Sequence, residues 1–171
     1  RHDKQPKRRK QTGRTTSRLL ENWTLTFPEG WGITSPLTLT ELKPWKDLPL
    51  SDEGKAFSGT ATYETSVQFD LLNRSQQYSL RLGEVEEIAV VKVNGETVDT
   101  LWAAPYEVDI APFLRRGSNT ITVEVTSTWF NRLVYDAGQP KEKRKTWVID
   151  GPSAQAPLRP SGLLGPVEIV M

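Results

Sequence analysis

The chain has 171 residues, no cysteine and one histidine, and its 22 Lys and Arg against 21 Asp and Glu leave a net charge of +1. That length fits a single domain able to bury a sizeable core. The lack of cysteine excludes a disulfide framework or a thiolate metal site, and no apolar stretch approaches the roughly 18 residues needed to span a bilayer. Cysteine usage leaves the compartment open, and a start without Met reads as a processed chain or a segment of a longer one.

The near-zero charge hides an asymmetry. Arg1, Lys4, Lys7, Arg8, Arg9, Lys10, Arg14 and Arg18 are opposed only by Asp3, so residues 1–18 form a basic arm and the remainder is acidic. Such an arm suits an anionic polymer or a solvated linker. Nothing after Arg18 continues a basic stripe, so nucleic acid is not an expected partner.

From residue 19 onward period-2 alternation dominates and helical periodicity is nearly absent. Strands are predicted at Trp23 to Phe27, Ala61 to Phe69, Tyr78 to Leu82, Ile88 to Val93 and Glu96 to Leu101. The last two flank Asn94-Gly95, a dipeptide whose tolerance of positive φ favours a type I′ hairpin turn. Tyr106 to Ile110 is a short strand, and Ala111 to Leu114 makes one helical turn. Arg116 to Asn119 turns the chain into Thr120 to Thr126, the clearest alternation, and Val167 to Val170 is the last strand. About eight short strands at this spacing predict an antiparallel β-sandwich. Residues 136–160 are an excursion, with a charged run at 141–145 and then Gly151, Pro152, Pro157 and Pro160. A loop this long is commonly functional or mobile.

The only histidine, His2, lies in the basic arm, so no Ser–His or Cys–His nucleophile system belongs to the core. Metalloprotease and phosphate-loop motifs are absent. Glu84, Glu86, Glu87, Asp99, Glu107, Asp109, Asp136 and Asp150 fall mostly at turns or outward strand positions, and no active site of the chain's own is expected.

Six tryptophans are the more informative signal. An indole stacks on the C–H face of a sugar, while Asn, Asp and Arg meet its hydroxyls in planar pairs. An indole is equally a large core filler. Trp23, Trp45 and Trp129 are expected to be structural; for Trp31, Trp102 and Trp147 packing and ligand contact both stay open.

The segments NWTLTFPEGWG, LKPWKDL, KAFSGTATYETSVQF, YSLRLGEVEEIAVVKVNGETVDTLWAAPYEVDIAPFLRRGSNTITVEVTSTWFNRLVYD and SGLLGPVEI occur in this order. Together they resemble the sugar-binding-like β-sandwich of family-two glycoside hydrolases, above all the C-terminal ancillary domain of large bacterial α-L-rhamnosidases. The resemblance covers residues 19–171. It implies an all-β galactose-binding-like jelly roll with one concave face, a non-catalytic module of a secreted or periplasmic polysaccharide-degrading enzyme. Such a module contacts glycan or braces the catalytic domain of its parent; its partners are then carbohydrate and that domain, with no membrane span. No cofactor is required; related jelly rolls often hold a structural calcium, for which Asp109, Asp136 or nearby loop carbonyls would supply oxygens here. A binding patch would take Trp102, Tyr106 and Trp129 as platforms, with Asn131, Arg132 and Asp136 fixing hydroxyls. An internal Arg132–Asp136 tie is the first reading of that pair and sugar contact the second. A purely structural interdomain module is the rival reading of the whole.

Overall fold

The computed structural model describes residues 15–171. In chain order they form β1 (Ser17–Leu19), β2 (Trp23–Thr26), β3 (Leu37–Leu39), α1 (Asp52–Lys55), β4 (Thr60–Phe69), β5 (Ser79–Arg81), β6 (Glu84–Glu86) and β7 (Ile88–Val93). There follow β8 (Glu96–Leu101), β9 (Glu107–Asp109), β10 (Gly117–Thr126), α2 (Phe130–Ala137), β11 (Gly162–Gly165) and β12 (Glu168–Val170). Single 3-10 turns occupy Trp45–Asp47, Ala111–Phe113 and Lys141–Lys143.

The larger sheet has the order β3-β2-β4-β10-β7-β8, the smaller one β1-β12-β5-β9, and β11 and β6 form a separate pair; every strand pairing is antiparallel. The frame is the β4–β10 ladder, which runs unbroken from Phe69 opposite Gly117 to Thr60 opposite Thr126. Its alternation sends Ala61, Tyr63, Val67 and Phe69 from one strand, and Ile121, Val123 and Val125 from the other, into the core. Leu80 of β5, Ile169 of β12 and Ile110 join the same cluster, so the two main sheets share one interior and make a sandwich. The predicted hairpin is present: Asn94 and Gly95 have φ of 53° and 85° between β7 and β8. Asn94 also ties the turn inward, its amide donating to the Phe113 carbonyl (3.0 Å) and to Asn119 Oδ1 (2.9 Å).

Two expectations are corrected. Ser17 and Arg18, counted with the basic arm, are sheet residues: Ser17 stands opposite Val170, and Arg18 donates to the Gln68 carbonyl at 2.7 Å. The edge of the sandwich therefore begins before residue 19, with Thr16 also bonded to Met171 through both backbone groups, while residues 1–14 of the arm lie outside the described residues. Helical periodicity is nearly absent from the sequence after residue 19, yet TWFNRLVYD is, from Phe130 onward, the two-turn helix α2. No helix among the described residues is long and apolar enough to cross a membrane.

Candidate functional site

The structure separates the six residues named above into two groups on different elements. Trp102 and Tyr106 share the loop between β8 and β9; Trp129, Asn131, Arg132 and Asp136 belong to the start and body of α2.

The α2 group is an internal clamp. Arg132 is 1% exposed, and its Nη2 lies 2.8 Å from Asp136 Oδ1, one helical turn on. Its Nη1 donates to Glu53 Oε1 of α1 at 2.9 Å, and the guanidinium lies over the rings of Trp31 and Tyr135, 5.3 and 5.0 Å from their centroids. Asp136 Oδ2 accepts from the N–H of Lys145 (2.9 Å) and from both the N–H and the hydroxyl of Thr146 (2.7 Å each). Asn131 donates to the Arg159 carbonyl and accepts from its N–H, fixing the far end of the excursion. All three side chains are buried and turned to the protein itself. Here they act as ties within the fold, and the Arg132–Asp136 contact is the one the first reading names. Trp129 stands between the two possibilities for an indole: 49% exposed, it packs against Trp31 at 6.0 Å. Trp23 and Trp45 are core residues, as expected.

Asp136 carries a pH prediction. Burial pushes its carboxyl pKa up, but the Thr146 hydroxyl, the Arg132 guanidinium and the Thr146 N–H outweigh burial and hold it below the ordinary value. A carboxylate with a depressed folded pKa stabilises the fold above its unfolded value of about 3.9, and that contribution is lost as pH falls through the folded value. Urea unfolding across a pH series is expected to show Asp136→Asn less stable than the parent at pH 7, with the gap closing as pH falls below the unfolded carboxyl value of about 3.9. A gap independent of pH would remove the carboxylate from this account.

The same bonds occupy the two carboxylates named for calcium. Asp136 is surrounded by donors, and the exposed Asp109 uses Oδ1 to accept from the Ala111 N–H at 2.9 Å. No group of three or more acidic or histidine side chains fit to hold a metal occurs among the described residues. Asp109 and Asp136, engaged in this way, are not arranged to hold a calcium ion between them.

The Trp102–Tyr106 loop is differently built. Trp102 is 78% exposed at its head. Past the cis Ala104–Pro105 bond, Tyr106 donates its hydroxyl to the Glu87 carbonyl at 2.7 Å, and its own carbonyl accepts from Leu82 N–H at 2.9 Å. This bends the loop over β6 and opens a cavity of about 450 Å³ lined by Gly83, Glu84, Glu86, Glu87, Ala104 and Tyr106. Partial burial, then the charges of Glu87 and Glu84, push the Glu86 carboxyl up; burial and the charges of Glu87 and Glu86 do the same to the Tyr106 phenol. An aromatic wall faces several acceptors here, and Trp102 stands on the same loop without lining the cavity. The three glutamates were noted in the sequence only as solvated acids; the β6–β11 pairing, which sets Glu86 opposite Gly162, gathers them. Glu53 was missed altogether, although Ser51 caps its helix through the Gly54 N–H.

A two-sheet antiparallel sandwich with a jelly-roll order and a loop-built cavity at one edge defines a galactose-binding-like domain. A profile of the family described as "Glycosyl hydrolase 2 galactose-binding domain-like" matches residues 50–159, and the chain belongs to that family. It is 34% identical, in an alignment that covers 88% of the chain, to a Formosa agariphila protein that bears the name "Putative beta-glucuronidase". It is 35% identical to a solved rhamnosidase from Novosphingobium sp. PP1Y, with a TM-score of 0.79 over 92% of the chain. A Ruminococcus gnavus β-glucuronidase, at 19% identity and a TM-score of 0.69 over 94% of the chain, shares the fold. The chain spans 15% of the length of each of the first two and 28% of the third.

Proposed function

We propose that the chain is a non-catalytic ancillary module of a larger, secreted or periplasmic glycoside hydrolase of rhamnosidase type, contacting carbohydrate through the Trp102–Tyr106 loop. The observation that carries this is an indole 78% exposed at the head of a loop that walls a cavity rich in acceptors. An indole exposed at a loop head presents a free flat face on which a sugar ring can stack. Trp102 supplies a stacking face, Tyr106 a wall, and the carboxylates of Glu84, Glu86 and Glu87 accept from sugar hydroxyls. Their charge favours a neutral sugar over an acidic one. The 35% identity to a rhamnosidase supports the choice of parent activity.

The test is titration of the chain with rhamnose-containing oligosaccharides, followed by tryptophan fluorescence. Trp102→Ala is expected to weaken binding at least about tenfold, or 1.4 kcal/mol, while leaving the unfolding midpoint unchanged. The absence of a saturable response to any neutral glycan defeats the binding half of the proposal. The second reading, a brace between domains, is supported by the commitment of Asn131, Arg132 and Asp136 to internal ties and by Trp129 standing half-exposed.

A further inference from the structure

The excursion between α2 and β11 contains a second constructed surface, of opposite charge. Asp136 holds its middle down through Lys145 and Thr146; Lys145 then reaches across to the Gly30 carbonyl at 2.7 Å and lies over the Trp31 ring. Arg144 is fixed by its Nε, which donates to the Gln139 carbonyl at 2.8 Å. Against this strap lies a cleft of about 180 Å³ whose lining includes Leu133, Arg144, Thr146, Trp147, Val148 and Pro152. Trp147 is 79% exposed. Lys141, Lys143, Arg144 and Lys145 are exposed too, against Glu142 in the run itself and Asp150 beyond it. Asp136 also borders the cleft, but it is paired with Arg132 and so subtracts little from that positive field.

We propose that this cleft binds one saccharide ring bearing an anionic group, a carboxylate or a sulfate. The indole of Trp147 would stack on the ring, and Arg144, whose Nε and Nη2 are held by the Gln139 and Ala137 carbonyls at 2.8 and 3.5 Å, would present its Nη1 to the anion. The cleft is well under the roughly 300–1,000 Å³ of a drug-sized site, which suits a single ring at a chain end or branch. The cationic run covers five residues and forms no extended stripe, so it lacks the footprint of a nucleic-acid site. The proposal is independent of the Trp102 cavity: its charge preference is the reverse, and its residues are different.

Titration of the full chain with D-glucuronate, glucose 6-sulfate and glucose, followed by the NMR signals of the tryptophan indole N–H groups, tests it. The expected result is a saturable shift of the Trp147 indole with one or both anionic sugars and none with glucose. The two anionic arms decide between carboxylate and sulfate. Raising NaCl to about 0.5 M is expected to weaken binding severalfold, because an exposed charge pair is screened. Arg144→Gln is expected to weaken it at least fivefold and Trp147→Ala to abolish it, while Trp102→Ala binds as the parent does. Both side chains are exposed, so circular dichroism should show the fold retained. The proposal is overturned by a glucose response equal to glucuronate, by no response to either anion, or by Arg144→Gln binding unchanged. Tighter capture of a single-stranded oligonucleotide by the same residues would overturn it as well.

Discussion

Arg132→Ala is expected to lower the unfolding free energy by about 3–5 kcal/mol, which in a domain of this size amounts to a fall of roughly 10 °C in Tm. The cause is not the loss of a surface ion pair, which would be worth under about 1 kcal/mol. Arg132 is buried between α1 and α2, and it neutralises Asp136, whose side chain is only 3% exposed. Removing the guanidinium leaves that carboxylate buried with hydrogen-bond donors but no countercharge. It also opens a void between the Trp31 and Tyr135 rings and cuts the tie to Glu53. Arg132→Lys should recover only part of the loss, since one ammonium cannot serve Glu53 and Asp136 in a fork and stack between two rings. Combining Arg132→Ala with Asp136→Asn removes the orphaned charge, so the double variant should be more stable than the sum of the two single changes by about 1–3 kcal/mol. Chemical denaturation of the four proteins measures this directly. Additive losses would mean that Arg132 acts by packing alone.

The same helix shows what the sequence disclosed and what it withheld. β4, β10 and the β7–β8 hairpin were legible because six to ten residues of alternation, or an Asn-Gly between two such runs, leave few other readings. β1, β3, β6 and β11 have three or four residues each, too few to establish a period, and β11 is buried along nearly its whole length. α2 escaped for another reason: the face it buries carries Asn131, Arg132 and Asp136, so its polar side is its inner side and the binary pattern is inverted. The four-residue spacing of Arg132 and Asp136 was the usable signal, and it was read as a tie without the helix that makes the spacing a contact. Glu53 stands 79 residues from Arg132, and no local pattern links them. Of the candidate site, the Trp102–Tyr106 loop was identifiable from aromatic residues just beyond a strand end. Its acidic floor was not, because it depends on how the loop folds back onto residues 83–87, of which Glu87 lies 19 positions before Tyr106.

The pairing of β6 with β11 carries the other large expected effect, Gly162→Ala. Gly162 has φ of 104°, a conformation in which an L side chain costs about 1–2 kcal/mol. Its position adds a steric cost. A Cβ there would lie 2.5 Å from Trp45 Nε1 and 2.6 Å from the Tyr63 hydroxyl oxygen. These two atoms form the central buried hydrogen bond of the core, Trp45 donating to Tyr63 at 2.6 Å, and the Tyr63 oxygen accepts in addition from Leu163 N–H at 3.1 Å. Both rings are fully buried, and burial, only partly offset by the bonds from Leu163 and Trp45, pushes the Tyr63 phenol up to about 12. Neither ring can retreat cheaply, since Trp45 meets Phe27 and Phe57 edge-on at 5.6 and 5.1 Å and Tyr63 meets Trp23 at 6.4 Å. Overpacking of such a site costs about 1–3 kcal/mol, so the total expected loss is about 2–5 kcal/mol. Gly95→Ala separates the two contributions. Gly95 has φ of 85° with nothing within 4 Å of an added Cβ, so it registers the backbone cost alone. Urea unfolding should therefore rank Gly162→Ala below Gly95→Ala by at least 1 kcal/mol, with the Trp45 indole N–H signal displaced only in the former. Equal losses would show that the core yields to the extra methyl group. Because Gly162 stands opposite Glu86, a displaced β11 should also weaken glycan binding at the Trp102 cavity, and Gly95→Ala should leave it untouched.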